Sequence, residues 1–104
     1  MDKTIWLVQT NLPGNMIEPM IGDWSTDFVR NGLTKCVQRS KISSIYEWEK
    51  NIQNSEEWRL QMKVADHNKD NLIKLIKDKH PYDLPQIIYW KVETTPDYAR
   101  WIEE

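Results

Sequence analysis

Apolar positions along the chain fall into clusters whose spacing switches between that of a strand and that of a helix. Ile5-Trp6-Leu7-Val8 is a short continuous apolar run closed by Gln9-Thr10-Asn11 and Pro13-Gly14, which predicts a buried strand and then a turn. Ile17, Met20, Ile21, Trp24 and Phe28 then recur at helical spacing, with Pro19 placed in the first turn and Asn31-Gly32 as the stop. Cys36-Val37 opens a second extended region that runs through Ile42 to Glu49, with Ile42, Tyr46 and Trp48 on one parity. Lys50 to Ser55 is polar and reads as a turn. Beyond it, Trp58, Leu60, Met62 and Val64 alternate with Glu57, Arg59, Gln61 and Lys63, the period-2 signature of a half-buried antiparallel strand. The two strands flanking the polar stretch form a long hairpin.

Asp66 or Asn68 is placed to cap a helix whose apolar stripe is Leu72, Ile73, Leu75 and Ile76, and Pro81 ends it near Lys79 or His80. Ile87-Ile88-Tyr89-Trp90, running on to Val92, predicts a fourth strand. Thr95-Pro96-Asp97 then starts a short terminal helix with Tyr98, Trp101 and Ile102 on one face. The order β-α-β-β-α-β plus a terminal helix, with antiparallel strands, predicts an α+β sandwich of the ferredoxin-like type, read as a single domain over residues 1–104. One sheet face is then covered by helices and the other left bare.

Composition sharpens that picture. A chain of 104 residues has room for one modest core, yet it carries six Trp. Large aromatics bury much surface and are enriched at interfaces, so the bare face is expected to meet another copy. Fourteen basic residues against sixteen acidic ones give a net charge of −2, with no basic stripe, which argues against nucleic-acid binding. No apolar run approaches the roughly 20 residues of a membrane span, and the N-terminal stretch lacks the features of a secretory signal. The lone cysteine, Cys36, has no partner for an internal disulfide, so a reducing, cytoplasmic setting is expected.

Few constellations of chemistry are present. The three glycines are scattered at 14, 22 and 32, so no phosphate loop is formed, and one Cys with two distant His makes no zinc pattern. Cys36 with His67 or His80 has no local support as a nucleophilic pair and reads as a structural thiol. The pairs Glu56-Glu57 and Glu103-Glu104 read as solvated charge. His80 ends a helix, where a positive charge complements the macrodipole, and this structural role stands beside a ligand role. Nothing in the chain predicts an enzyme.

Four segments, taken in order, resemble one family. Asn31-Gly32-Leu33-Thr34-Lys35-Cys36-Val37 parallels its Leu-Ala-Ala-Cys-Val entry into the second strand, and Ser44-Ile45-Tyr46-Glu47-Trp48-Glu49 is similar to its Ser-Ile-Tyr-x-Trp-x segment. His80-Pro81-Tyr82-Asp83-Leu84-Pro85 resembles its His-Pro-Tyr-x-x-Pro box, and Pro96-Asp97-Tyr98-Ala99-Arg100-Trp101-Ile102 its closing Asp-Tyr-x-x-Trp helix. These are the CutA-type divalent-cation-tolerance proteins. The resemblance implies a ferredoxin-like subunit, a homotrimer joined through sheet edges and the long hairpin, and a link to copper or another divalent cation. Trp58, Tyr98 and Trp101 are then expected to pack between subunits.

By motif, the copper-site positions that the family implies fall on Gln9, Lys79 and Gln86, none of them a good soft-metal ligand. His80 with Asp83, or with Glu47 of a neighbouring subunit, is the expected substitute. A second expectation follows from the family's likeness to the trimeric P-II signalling proteins. It is an inter-subunit cleft lined by Tyr46, Trp48, Lys63, His80 and Tyr82 that suits an anionic ligand. A third is a trimeric scaffold for partner proteins.

Overall fold

The structure, a computed structural model, describes residues 3–104. The chain runs β1 (Lys3–Pro13), α1 (Glu18–Arg30), β2 (Cys36–Trp48), β3 (Asn51–Val64), a 3-10 turn (Asp66–Asn68), α2 (Lys69–Lys79), β4 (Ile87–Thr94) and α3 (Pro96–Glu103). The strands make one antiparallel sheet in the order β2-β3-β1-β4, which is the ferredoxin-like arrangement.

Strand alternation decides what each face carries. Val8 and Leu12 of β1 share a face with Leu60, Met62 and Val64 of β3, and all five are fully buried. Ile21 and Phe28 of α1 and Leu72 and Ile76 of α2 close over them to complete the core. Burying each such side chain is worth about 1.5–3 kcal/mol. On the opposite face α3 covers one end only, where Ala99 and Ile102 pack with Ile5 and Ala65. Among the described residues the rest of that face has no helix over it, and Ile88 and Trp90 stand 46% and 39% exposed.

The β2–β3 hairpin leaves the body as an arm. Its turn is only Glu49-Lys50, with φ of 51° and 66° at those two residues, the backbone that a two-residue hairpin loop with the right strand twist requires. The principal extents are 47 × 26 × 21 Å, and the radius of gyration is 14.7 Å against about 13 Å for a compact domain of this length. Where β1 meets the base of the arm, Gly14 donates to the Glu56 carbonyl at 3.1 Å. A Cβ at Gly14 would lie 2.2 Å from that oxygen, so the close approach needs glycine.

Several boundaries differ from the sequence expectation. β1 does not turn at Gln9 but continues to Pro13, because β3 supplies partners for Gln9 through Pro13 from Gln61 to Glu57. Asn51 to Ser55 are strand rather than turn for the same reason, paired with Ser44 to Trp48. In α1 the buried face is Ile21, Ser25 and Phe28, while Ile17 and Met20 are 62% and 50% exposed. In α3 Ala99 and Ile102 go inward and Trp101 lies 44% exposed. Asp66 does not cap α2: it accepts the Trp6 indole N–H at 2.7 Å.

Candidate functional site

A cleft of about 650 Å³ opens at the base of the arm, between β1, the arm and the loop from α2 to β4. Asn11 of β1 and Glu57 of β3 supply its polar floor, Tyr46 and Trp48 its arm wall, and Tyr82 and Asp83 its loop wall. Asn11 and Glu57 have odd positions on neighbouring strands, which puts both on the face away from α1 and α2.

His80 positions the loop. Its Nδ1 accepts the Tyr82 N–H at 3.1 Å, which leaves the proton on Nε2. Nε2 donates to the Asn11 carbonyl at 2.7 Å and lies 3.0 Å from the buried Thr10 hydroxyl. Burial holds the His80 pKa below its ordinary value, against the opposing pull of the Asn11 carbonyl and of Glu57. The neutral ring thus ties the loop to β1. Both ring nitrogens are occupied, so a ligand role for His80 would require breaking these bonds.

Held in this way, Tyr82 donates its phenol to Glu57 Oε2 at 3.1 Å. Burial first, and then the Glu57 charge, push the Tyr82 pKa up to about 12, so the phenol stays a donor. Asn11 Nδ2 lies 3.5 Å from Glu57 Oε1. Glu57 is 8% exposed and Asn11 7%, and Asn11 Oδ1, closed off from solvent, has no hydrogen-bond partner among the described residues. Around this polar pair the remaining walls include Ile45 and Leu84.

This cleft, formed within one chain rather than between subunits as the sequence reading expects, brings together Tyr46, Trp48 and Tyr82 but not Lys63. That residue lies toward the far end of β3, opposite Cys36, with its ammonium on Gln38 Oε1 and 3.8 Å from Cys36 Sγ. His80 sits behind the cleft rather than in its lining. Among the described residues no Lys, Arg or His lines it, whereas Glu57 and Asp83 do. Sequence reasoning missed Glu57 and Asn11. Glu57 has the polar phase of a regular alternation and reads as solvated charge until the Tyr82 loop closes over it.

Among the described residues no three His, Cys, Asp or Glu side chains cluster as a metal site. Glu47 is exposed on the arm and, by alternation, on the face opposite Tyr46 and Trp48. The positions that the resemblance assigns to copper hold amides and a committed lysine. Gln61 donates to Gln9 Oε1 at 2.9 Å and Gln9 donates to Gln86 Oε1 at 3.4 Å, a ladder of neutral carboxamides. Lys79 Nζ is 2.6 Å from Asp27 Oδ2, turned toward α1. Neutral amides and an ammonium do not fit a soft metal.

Of the aromatics expected between subunits, Trp58 is half-buried and donates its indole N–H to the Met16 carbonyl at 2.9 Å. It thereby braces the turn after β1. Tyr98 is half-buried beside Trp101, ring centres 5.8 Å apart.

The architecture is that of a ferredoxin-like α+β protein with a cleft at the root of a hairpin arm. The chain belongs to the CutA1 divalent ion tolerance protein family, whose sequence profile matches residues 20–104. The divalent-cation tolerance protein CutA of Thermotoga maritima is 30% identical over 73 residues, which are 69% of this chain and 72% of that protein. The solved CutA of Synechococcus elongatus PCC7942 superposes with a TM-score of 0.89 over 99% of this chain and 91% of its own, at 23% identity, a likeness of fold. A structure described as the PII-like protein CutA from Nostoc sp. PCC 7120 in apo form gives a TM-score of 0.83 at 25% identity, covering 98% of this chain and 93% of its own.

Proposed function

We propose that this chain is a homotrimeric CutA1-family protein that serves divalent-cation tolerance by binding rather than by catalysis. Family membership supports the link to divalent cations. The trimer is supported by one observation above all: the sheet face away from α1 and α2 carries Ile88 and Trp90, and the arm carries Ile45 and Ile52 at 74% and 82% exposed. Apolar surface spread over a face and an arm is what an association interface looks like before its partner arrives. One unpaired cysteine suits a reducing compartment such as the cytoplasm.

Copper is disfavoured as the ion, because Gln9, Lys79 and Gln86 are poor soft-metal donors. Light scattering on the purified chain at micromolar concentration tests the assembly. A mass three times 12.5 kDa is expected, and a single-copy mass would end the reading. Calorimetric titration with Cu(II) and Cu(I) is expected to give no saturable heat beyond buffer. A stoichiometric tight site would restore copper.

The cleft favours a second reading, a PII-like module that binds a small molecule. Its size of about 650 Å³ falls in the usual range for ligand sites. This reading keeps the trimer and adds a ligand to it.

A further inference from the structure

The cleft at the arm has a definite chemical sense. Its floor offers an acceptor, Glu57, whose two oxygens each take one contact and keep spare lone pairs. Tyr82 spends its only donor on Glu57. The walls are Tyr46, Trp48 and Tyr82, rings whose faces attract a cation, and Asp83 adds a second carboxylate at the rim.

We propose that this cleft takes an organic cation bearing N–H donors, an ammonium or guanidinium on a short apolar chain. Glu57 accepts its hydrogen bonds, and Tyr46, Trp48 and Tyr82 enclose its charge. A bare metal ion is the poorer occupant, since a hard divalent cation asks for six to eight oxygens and much of this wall is aromatic and aliphatic. An anion meets two carboxylates and no basic side chain in the lining. The inference rests on the reading of the chain as a binding protein and adds the ligand class to it.

The test is a titration of the ¹⁵N-labelled full chain with n-butylammonium and n-butylguanidinium, following the Asn11 side-chain amide and the Trp48 indole by NMR. Sodium butyrate, n-butanol, MgCl₂ and ZnCl₂ serve as comparison probes. Saturable shifts at both reporters are expected with the two cations and not with butyrate or butanol. Glu57→Gln keeps the shape and an acceptor for Tyr82 while removing the charge, and should weaken Kd at least about tenfold. Trp48→Ala, on the exposed arm away from the core, should weaken it about threefold and guards against a folding failure in the first variant.

Three results would overturn the proposal: no saturable shift with either cation, equal shifts with butyrate or butanol, or saturation by Mg²⁺ or Zn²⁺ alone. A trimer that ignores both organic cations removes this inference and leaves the assembly intact. A monomer that binds them removes the assembly and leaves the ligand class.

Discussion

Glu57 is the residue on which the cleft turns, and what keeps it in place is a short relay that begins at His80. The imidazole holds the Tyr82 backbone, and the Tyr82 phenol holds the carboxylate. Tyr82→Phe removes the donor and leaves a nearly buried carboxylate with one weak partner. A loss of about 1–2 kcal/mol in urea unfolding is expected, since hydrogen bonds to charged groups are the costlier ones to lose. An unchanged midpoint and slope would show the bond to be idle. His80 makes the relay sensitive to acid. Because the folded ring binds its proton more weakly than the ordinary 6.5, the unfolded chain takes up the proton first as pH falls through that value. Stability should therefore be full above about pH 7 and decline below pH 6.5. Melting temperatures of the wild type and of His80→Gln between pH 7.5 and 5 check this, with a shallower decline expected in the variant. Identical slopes would assign the acid sensitivity to other groups.

At the scale of elements, the arm is longer and its turn tighter than the residues alone implied. Trp58 to Val64 show their strand in the sequence because every second position is apolar and one face is buried. Asn51 to Ser55 show nothing, since both faces of the arm meet solvent and no hydrophobic period is imposed on them. Gln9 to Pro13 were hidden for a different reason: their strand character comes from hydrogen-bonding partners supplied by β3, and pairing leaves no mark on composition. The same holds for the cleft. Tyr46, Trp48 and Tyr82 were legible as aromatics in ordered motifs, whereas Asn11 and Glu57 become site residues only through the register of β1 with β3 and the loop above them. The turn gives an element-scale prediction. Glu49 and Lys50 both sit at positive φ, which costs an L-residue roughly 1–2 kcal/mol in the left-handed region and suits Asn-Gly. The double variant Glu49→Asn, Lys50→Gly should raise unfolding stability by about 0.5–1 kcal/mol without moving the cleft reporters. A loss of stability would mean that the tip side chains hold the turn.

Over the whole molecule, the helix layer and the bare sheet face end in opposite ways. The helix layer is finished on its outer side by charged residues such as Lys77, whereas the bare sheet face presents Leu7, Ile88 and Trp90 across neighbouring strands. Their register places Trp90 directly beside Leu7 and Ile88 beside Gln9, so apolar surface and the glutamine ladder lie next to one another. If this face packs against sister copies, a charge there must be desolvated on assembly, at a cost of several kcal/mol for an unpaired carboxylate. Trp90→Glu should then convert the trimer to single copies at micromolar concentration. Lys77→Glu, an equal or larger change of charge on the helix layer, should leave the mass untouched. Trp90 is itself 39% exposed and outside the buried core, so the variant subunit is expected to keep its circular dichroism and fold. A Trp90→Glu protein that stays trimeric would move the interface off this face and onto the arm, where Ile45 and Ile52 would be the next positions to charge.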